Sequence, residues 1–200
     1  GYLNDYEVLK VRTGMQIDGL KGVDISEEER EKLYREGIDP DDIDYEGTDL
    51  EKYFTNKDTN RKILMELMER GIMDESGTTP GKTILFCANQ NHAEFMKKLL
   101  DEMYPRYAGR LGEVITSKME RVHGKGGLLD QFKNKDFPRI AFSVDMLDTG
   151  IDVREIVNLV FAKRVRSWIK FHQMIGRGTR VLEDEITARK PWCKEKNKFL

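Results

Sequence analysis

The sequence predicts an α/β fold, a three-layer α/β/α sandwich around a mainly parallel sheet, and two observations carry that expectation. The runs Thr83 to Ala88, Ile140 to Val144 and Ile156 to Phe161 are short, rich in Ile, Val and Phe, and bounded by turn-forming residues, the pattern of strands buried on both faces. Around them lie stretches with apolar residues at helical spacing, so strands and helices alternate from Lys82 onward, as right-handed crossovers in a parallel sheet require. The last two runs are expected to be central strands.

Composition bounds the rest. With 200 residues, 38% hydrophobic and 35% charged, the chain has an ordinary water-soluble balance and enough length for one sizeable core plus an appendage. No apolar segment reaches the roughly 18 residues that would span a bilayer, and the opening GYLNDYEVLK lacks the basic and apolar regions of a secretion signal, so a soluble, cytoplasmic protein is expected. Cys87 and Cys193 form neither a disulfide framework nor a metal pattern. His92, His123 and His172 lie on different elements without ligand spacing, so no metal site is expected. A net charge of -2 argues against a protein that simply coats nucleic acid. Charge is unevenly placed, however. Asp24 to Glu51 is dense in acid, whereas Ile156 to Leu182 has no acid and carries Lys163, Arg164, Arg166, Lys170, Arg177 and Arg180. An anion is bound by the second region.

In chain order, YEVLKV within Tyr2 to Ile17 alternates as a strand does. Ser26 followed by EEEREKLYREG has a cap, an acidic first turn and a glycine stop, hence a short surface helix. The next stretch, IDPDDIDYEGTDLEKYF, is acidic and turn-rich. From Thr59 to Gly71, Ile63, Leu64, Leu67 and Met68 recur on one helical face, and Gly71 ends the helix. Asp74 to Gly81 is a loop before the strand at Thr83. Asn91 to Met103 is a helix with Phe95, Leu99 and Met103 inward. Glu113 to Ser117 is a strand, and Gly124 to Lys135 a helix with Leu128, Leu129 and Phe132 inward. Pro138 introduces the strand at Arg139.

GTTPGKT, Gly77 to Thr83, is not a phosphate-binding P-loop. Three residues, not four, separate its glycines, a helix precedes it and a strand follows. An acidic cluster at the end of an apolar strand, which would hold magnesium, is also missing from the sequence. Arg177 and Arg180, three residues apart on a helix end, put two planar cations on one face. Taken alone they are either a structural pair for an unseen acid or an anion clamp. In DTGID, Gly150 permits an unusual turn and Asp152 supplies an acceptor suited to a ribose hydroxyl or an arginine; alone, this is a capped turn. Asn89, Gln90, Asn91 and His92 follow the strand TILFCA at its carboxyl end, within reach of a nucleic-acid backbone, although Asn91 equally fits a helix cap. Trp168 and Phe171 either stack on bases or, the favoured reading, pack their helix on the sheet.

Three ordered segments carry a resemblance: TILFCANQNHAEF, then SVDMLDTGIDV with IVNLVF, then FHQMIGRGTR. They resemble motifs IV, V and VI of superfamily 2 helicases and translocases, and the wording is closest to the motor subunit of type I restriction enzymes. The match covers about Thr83 to Leu182. It implies a second RecA-like lobe, the helicase C-terminal core, at 79–182. Residues 1–78 would then be a connecting strand, an acidic appendage and an amphipathic helix packed on the lobe, and 183–200 a charged extension.

The resemblance also implies roles. Arg177 and Arg180 would be the catalytic arginines, reaching nucleotide held by a first lobe. Gly150, Asp152, Gln173 and Gly176 would face the nucleotide, while Thr149, with Asn89 and Asn91, would meet nucleic acid. The implied cofactor is ATP with Mg2+, held mainly by the first lobe. The implied partners are that lobe of the same polypeptide, double-stranded DNA, and the methylation and specificity subunits of a restriction complex in a bacterial or archaeal cytoplasm. This fragment alone would be inactive. Two other readings stay open: a superfamily 2 repair or remodelling helicase, and a nucleic-acid-binding or scaffold module without ATPase function. A phosphate loop and acidic box upstream would decide for a motor.

Overall fold

Strand β4 (Lys82–Phe86) is hydrogen-bonded on both sides and buried throughout, and the fold is built outward from it. The computed structural model describes residues 5–6, 20–21, 44–45, 57–117, 122, 124–144, 153–163, 165, 168–178 and 198–199. Three two-residue strands come first, β1 (Asp5–Tyr6), β2 (Leu20–Lys21) and β3 (Asp44–Tyr45), followed by helix α1 (Lys57–Arg70) and β4. Helix α2 (Gln90–Met103), β5 (Gly112–Val114), α3 (Leu128–Asn134), β6 (Ile140–Ser143), β7 (Ile156–Phe161), α4 (Trp168–Ile175) and β8 (Lys198–Phe199) complete the order.

The main sheet has four strands in the order β5-β6-β4-β7, all parallel. Strand β4 pairs Thr83 with Ile140 of β6 on one side and with Asn158 of β7 on the other. Strands β2 and β3 form an antiparallel pair, while β8 pairs in parallel with β1 and lies beside β7. Within the four-stranded sheet β7 is therefore an edge, not the central strand its apolar run suggests. Its last two residues, Val160 and Phe161, are accordingly only half-buried.

The period of two along β4 divides the core. Ile84 and Phe86 face one side, with Phe132 of α3 and Met174 and Ile175 of α4. Leu85 and Cys87 face the other, with Leu64 and Leu67 of α1 and Met96, Leu99 and Leu100 of α2. Helices on both faces of a parallel sheet are the three-layer sandwich that the alternation of elements predicts. Rings connect the layers: Phe86 stacks on Phe161 at 5.2 Å, and Phe161 meets Phe171 of α4 at 5.6 Å.

Several boundaries differ from expectation, each for a local reason. The third helix starts at Leu128 because Gly124 and Gly126 adopt φ of 89° and 80°, which a helix cannot continue. In α2 the buried face is His92, Ala93, Met96, Leu99 and Leu100, so Phe95 and Met103 sit at its margins, half-buried. The strand expected over Glu113 to Ser117 is Gly112–Val114, where a Cβ on Gly112 would lie 2.6 Å from the Phe142 ring. The expected loop Asp74 to Gly81 is a tight hairpin, bridged between Met73 and Pro80. The expected helix after Ser26 and most of the strand around Tyr6 lie outside the described residues.

That hairpin is held by a buried polar network at the amino-terminal edge of the sheet. Asn158 is 1% exposed; its Oδ1 accepts from Ile72 N at 2.8 Å, and its Nδ2 donates to Ile72 O at 3.0 Å and to Thr83 Oγ1 at 3.2 Å. Beside it Arg139, 3% exposed, pairs with Asp74 at 3.2 Å and with Asp136. Buried polar groups of this kind are costly when a partner is removed, more than they stabilise when complete. Truncating Asn158 to Ala leaves the Ile72 amide without its partner and the Ile72 carbonyl with Gly81 N alone, and should lower unfolding free energy by about 2 kcal/mol. Urea unfolding of wild type and variant measures this, and a loss below about 1 kcal/mol would show that water replaces the side chain freely.

Candidate functional site

The carboxyl ends of β4, β5, β6 and β7 point to one edge, and the residues that follow them build the candidate site, as expected for an open parallel sheet. After β4, the chain enters α2 through Asn89, whose Oδ1 accepts from His92 N at 2.9 Å. Asn89, not Asn91, is thus the helix cap. Asn91 is exposed in the first turn. Gln90 bridges to the end of β5, its Oε1 accepting from Thr116 Oγ1 at 2.6 Å, and to Glu94 Oε1 through Nε2 at 2.7 Å. After β7, Lys163 donates to Val144 O at 2.6 Å, tying the ends of β7 and β6 together. Neither link was legible in the sequence, since each joins segments distant along the chain.

The buried groups at this edge are held neutral. Burial pushes the Cys87 thiol up to about 12, against a smaller opposing pull from the Lys163 cation, so Cys87 is a packing residue and a poor nucleophile. His92 joins α2 to α1: its Nδ1 accepts from Ala88 N at 3.2 Å and its Nε2 lies 3.2 Å from Asn60 Oδ1. With Nδ1 accepting, the ring proton sits on Nε2, and burial lowers the pKa below its ordinary value of 6.5.

Helix α4 leaves the same edge. Phe171 packs on Phe161, and Met174 and Ile175 are buried in the sheet-face core. Phe171 is therefore a packing residue. The opposite side presents Gln173, exposed, and the helix ends in a tight turn through Gly176 and Arg177, where Gly178 N donates to Ile175 O at 2.8 Å. Arg177 is half-buried. At about 1.5 Å rise per residue, Arg177 lies roughly 9 Å along the axis from Phe171. Thus Gln173 lies on α4 and Gly176 and Arg177 on the turn that ends it, while Asn89 and Asn91 sit at the start of another helix. Thr149, Gly150, Asp152 and Arg180 lie outside the described residues.

Other phosphate-cradle candidates are occupied by the fold itself. In GTTPGKT, Lys82 is 2% exposed and its Nζ donates to Lys135 O at 2.7 Å, Asp136 O at 3.1 Å and Pro138 O at 2.7 Å. Gly81 is needed for packing, since a Cβ would lie 2.4 Å from Val157 Cγ2. In the GKGG loop before α3, the Gly126 amide donates to Asp130 Oδ2 at 2.8 Å, a bond that, with Asn134, lowers the Asp130 pKa. Among the described residues no group of His, Cys, Asp and Glu could hold a metal ion. No described helix is long and apolar enough to cross a membrane.

Comparison with known proteins gives the family and agrees with the fold. Residues 59–181 match the helicase conserved C-terminal domain. The chain is 31% identical over 146 residues to the type I restriction enzyme EcoKI endonuclease subunit of Escherichia coli (strain K12), covering 70% of this chain and 12% of that protein. It is 28% identical over 191 residues to the EcoAI endonuclease subunit of Escherichia coli, covering 92% of this chain and 22% of the relative. A fragment structure assigned to an HsdR subunit of a type I restriction enzyme from Vibrio vulnificus YJ016 superposes with a TM-score of 0.54 at 28% identity, over 72% of this chain and 26% of that one. The chain thus spans well under a third of each relative.

The His92 contacts give a pH dependence with a definite sign. Its pKa is lower folded than unfolded, so below about 6.5 the unfolded chain binds more protons and stability falls with pH. Urea midpoints at pH 7.5 and 5.0 should differ more for wild type than for His92→Gln. Equal differences would show that the ring accepts a proton without disturbing Asn60 and Ala88.

Proposed function

Because the chain belongs to the family of helicase conserved C-terminal domains, we propose that it is the second RecA-like lobe of the DNA-translocating subunit of a type I restriction enzyme. The observation that carries this reading is the anchoring of α4: with Met174 and Ile175 in the core and Phe171 on Phe161, the helix end leading into QMIGRG is packed against the sheet. Members of the family act with nucleotides, and here the nucleotide is ATP with Mg2+. When bound, ATP supplies the phosphoryl group whose transfer to water drives movement.

This chain's part in that step is electrostatic. Arg177 offers a planar, permanently charged guanidinium, which stabilises negative charge spread over the equatorial oxygens of a transferring phosphoryl group; such an arginine contributes about 10³ to 10⁵ in rate. Gln173 lies one turn earlier on the same helix and orients the terminal phosphate or the attacking water, and Gly176 lets the ligand approach the backbone. By the same reading Gly150, Asp152 and Arg180 complete the nucleotide side, and Arg180 is the second catalytic arginine. Phosphate-loop and magnesium-holding residues belong to the first lobe of the polypeptide, because Lys82 and the Gly126 and Gly127 amides are engaged internally. Asn91, Asn89 and Thr149 face the backbone of double-stranded DNA, and the methylation and specificity subunits direct the assembly to its sites in the cytoplasm.

The mechanism fixes the kinetic outcome of removing Arg177. In the full-length enzyme Arg177→Ala should lower the ATPase rate at least about 10²-fold, with a much smaller change in nucleotide affinity, because only transition-state binding is lost. Arg177→Lys should restore little, since a point charge does not reproduce the two-pronged donor. Steady-state ATPase and nucleotide titration check this; unchanged turnover would remove Arg177 from the site.

A further inference from the structure

Helices α1 and α2 share one apolar core, in which Leu64 and Leu67 lie with Met96, Leu99 and Leu100. At the carboxyl edge of the sheet their contact changes character. There Asn60 and His92, 5% and 8% exposed, meet as a polar pair, with His92 Nε2 3.2 Å from Asn60 Oδ1. The same ring accepts from Ala88 N in the turn that leaves β4, and the His92 amide donates to the capping Asn89 side chain. One imidazole therefore joins the first turn of α1, the end of β4 and the first turn of α2. Its two ring bonds are not equivalent. Ala88 is exposed, so water can replace Nδ1 as the acceptor of its amide. Asn60 is shielded together with His92, and breaking a buried hydrogen bond leaves both of its groups unsatisfied. Apolar packing joins two helices without fixing their rotation, whereas a hydrogen bond has a direction.

We infer that His92 is a positioning residue for DNA: through its bond to Asn60 it ties the start of α2, with Asn89 and Asn91, to α1. The inference rests on the functional reading above, which sets those two asparagines against the backbone of the duplex. Both are exposed and lie within three residues of His92, Asn89 as the helix cap and Asn91 in the first turn. Because Asn89 Oδ1 accepts from the His92 amide, the group Asn89 offers to a phosphate oxygen is its Nδ2. Such a bond needs hydrogen-bond length, so a shift of the turn by about 1 Å breaks it. Gln90 fastens the turn to β5 at Thr116, and Asn60 supplies the anchor from α1. Helix α1 then contributes to DNA affinity without a contact of its own. The His92 ring is buried and acts through its neighbours.

The test measures, in the full-length polypeptide, the Kd for a fluorescent DNA duplex alongside the KM for ATP. Side-chain amides separate the two ring bonds, since the Asn oxygen overlays Nδ1 and the Gln nitrogen overlays Nε2. His92→Gln keeps the link to Asn60 and should bind duplex within about twofold of wild type. His92→Asn keeps only the bond to Ala88 and should raise Kd at least about fivefold, as should Asn60→Ala. Combining His92→Asn with Asn60→Ala should weaken binding no further, because both changes remove one link. The KM for ATP should stay within about twofold throughout, which a general loss of folding would not allow. Asn158→Ala, which destabilises the opposite edge, should leave duplex binding unchanged. Wild-type binding by His92→Asn, equal weakening by His92→Gln, or weakening of the same size by Asn158→Ala overturns the inference. Asn91→Ala with wild-type duplex affinity would instead overturn the reading of α2 as a DNA contact, so the two failures are distinguishable.

Discussion

Two cations are buried at the amino-terminal edge of the sheet, and each must be satisfied inside the protein. Taking an ammonium or guanidinium out of water costs several kcal/mol unless oxygen atoms surround it. Lys82 meets this constraint with three backbone carbonyl oxygens and the face of the Phe132 ring at 5.0 Å. Arg139 sets its charge against the Asp74 and Asp136 carboxylates, although its Nε and Nη1 are buried without a hydrogen-bond partner among the described residues. These contacts fix the start of β4, the end of α3, the entry to β6 and the hairpin before β4. Register in the sheet follows from them together with Asn158, which joins β7 to Thr83 and Ile72.

A rigid lower edge leaves the opposite edge for function. The packed rings of Phe86, Phe161 and Phe171 run from the central strand through β7 to α4, so the helix bearing Gln173 and leading to Arg177 is fixed by the same core as the sheet. Aromatic pairs contribute about 0.5–1.5 kcal/mol each beyond their buried area, and they also fix direction. Preorganisation of this kind is what an electrostatic catalyst needs, because a guanidinium that must be ordered during the reaction loses part of its effect.

The sequence carried the layer architecture because the relevant signals are local: continuous apolar runs at Thr83 to Ala88, Ile140 to Val144 and Ile156 to Phe161, and helical spacing in Leu64 and Leu67. It located QMIGRG on a helix end and rejected GTTPGKT as a phosphate loop on glycine spacing and on the helix before and strand after it, and the buried Lys82 supplies the structural reason. What it did not carry are contacts between distant segments. Asn158 reads as a polar interruption in a strand until Ile72 lies opposite. The exposure of Ile169 is invisible to a pattern that assigns isoleucine to cores. The edge position of β7 also escaped, since an apolar run does not state how many neighbours a strand has.

The central claim is that the α4 end of this lobe meets the nucleotide's terminal phosphate across a cleft. A γ-phosphate-linked photoreactive ATP analogue, crosslinked in the full-length protein and mapped by peptide mass spectrometry, tests it most directly. Label on the peptide containing Gln173 to Arg177, competed by unlabelled ATP, is the result the account predicts. Competable label confined to peptides outside α4 would contradict it.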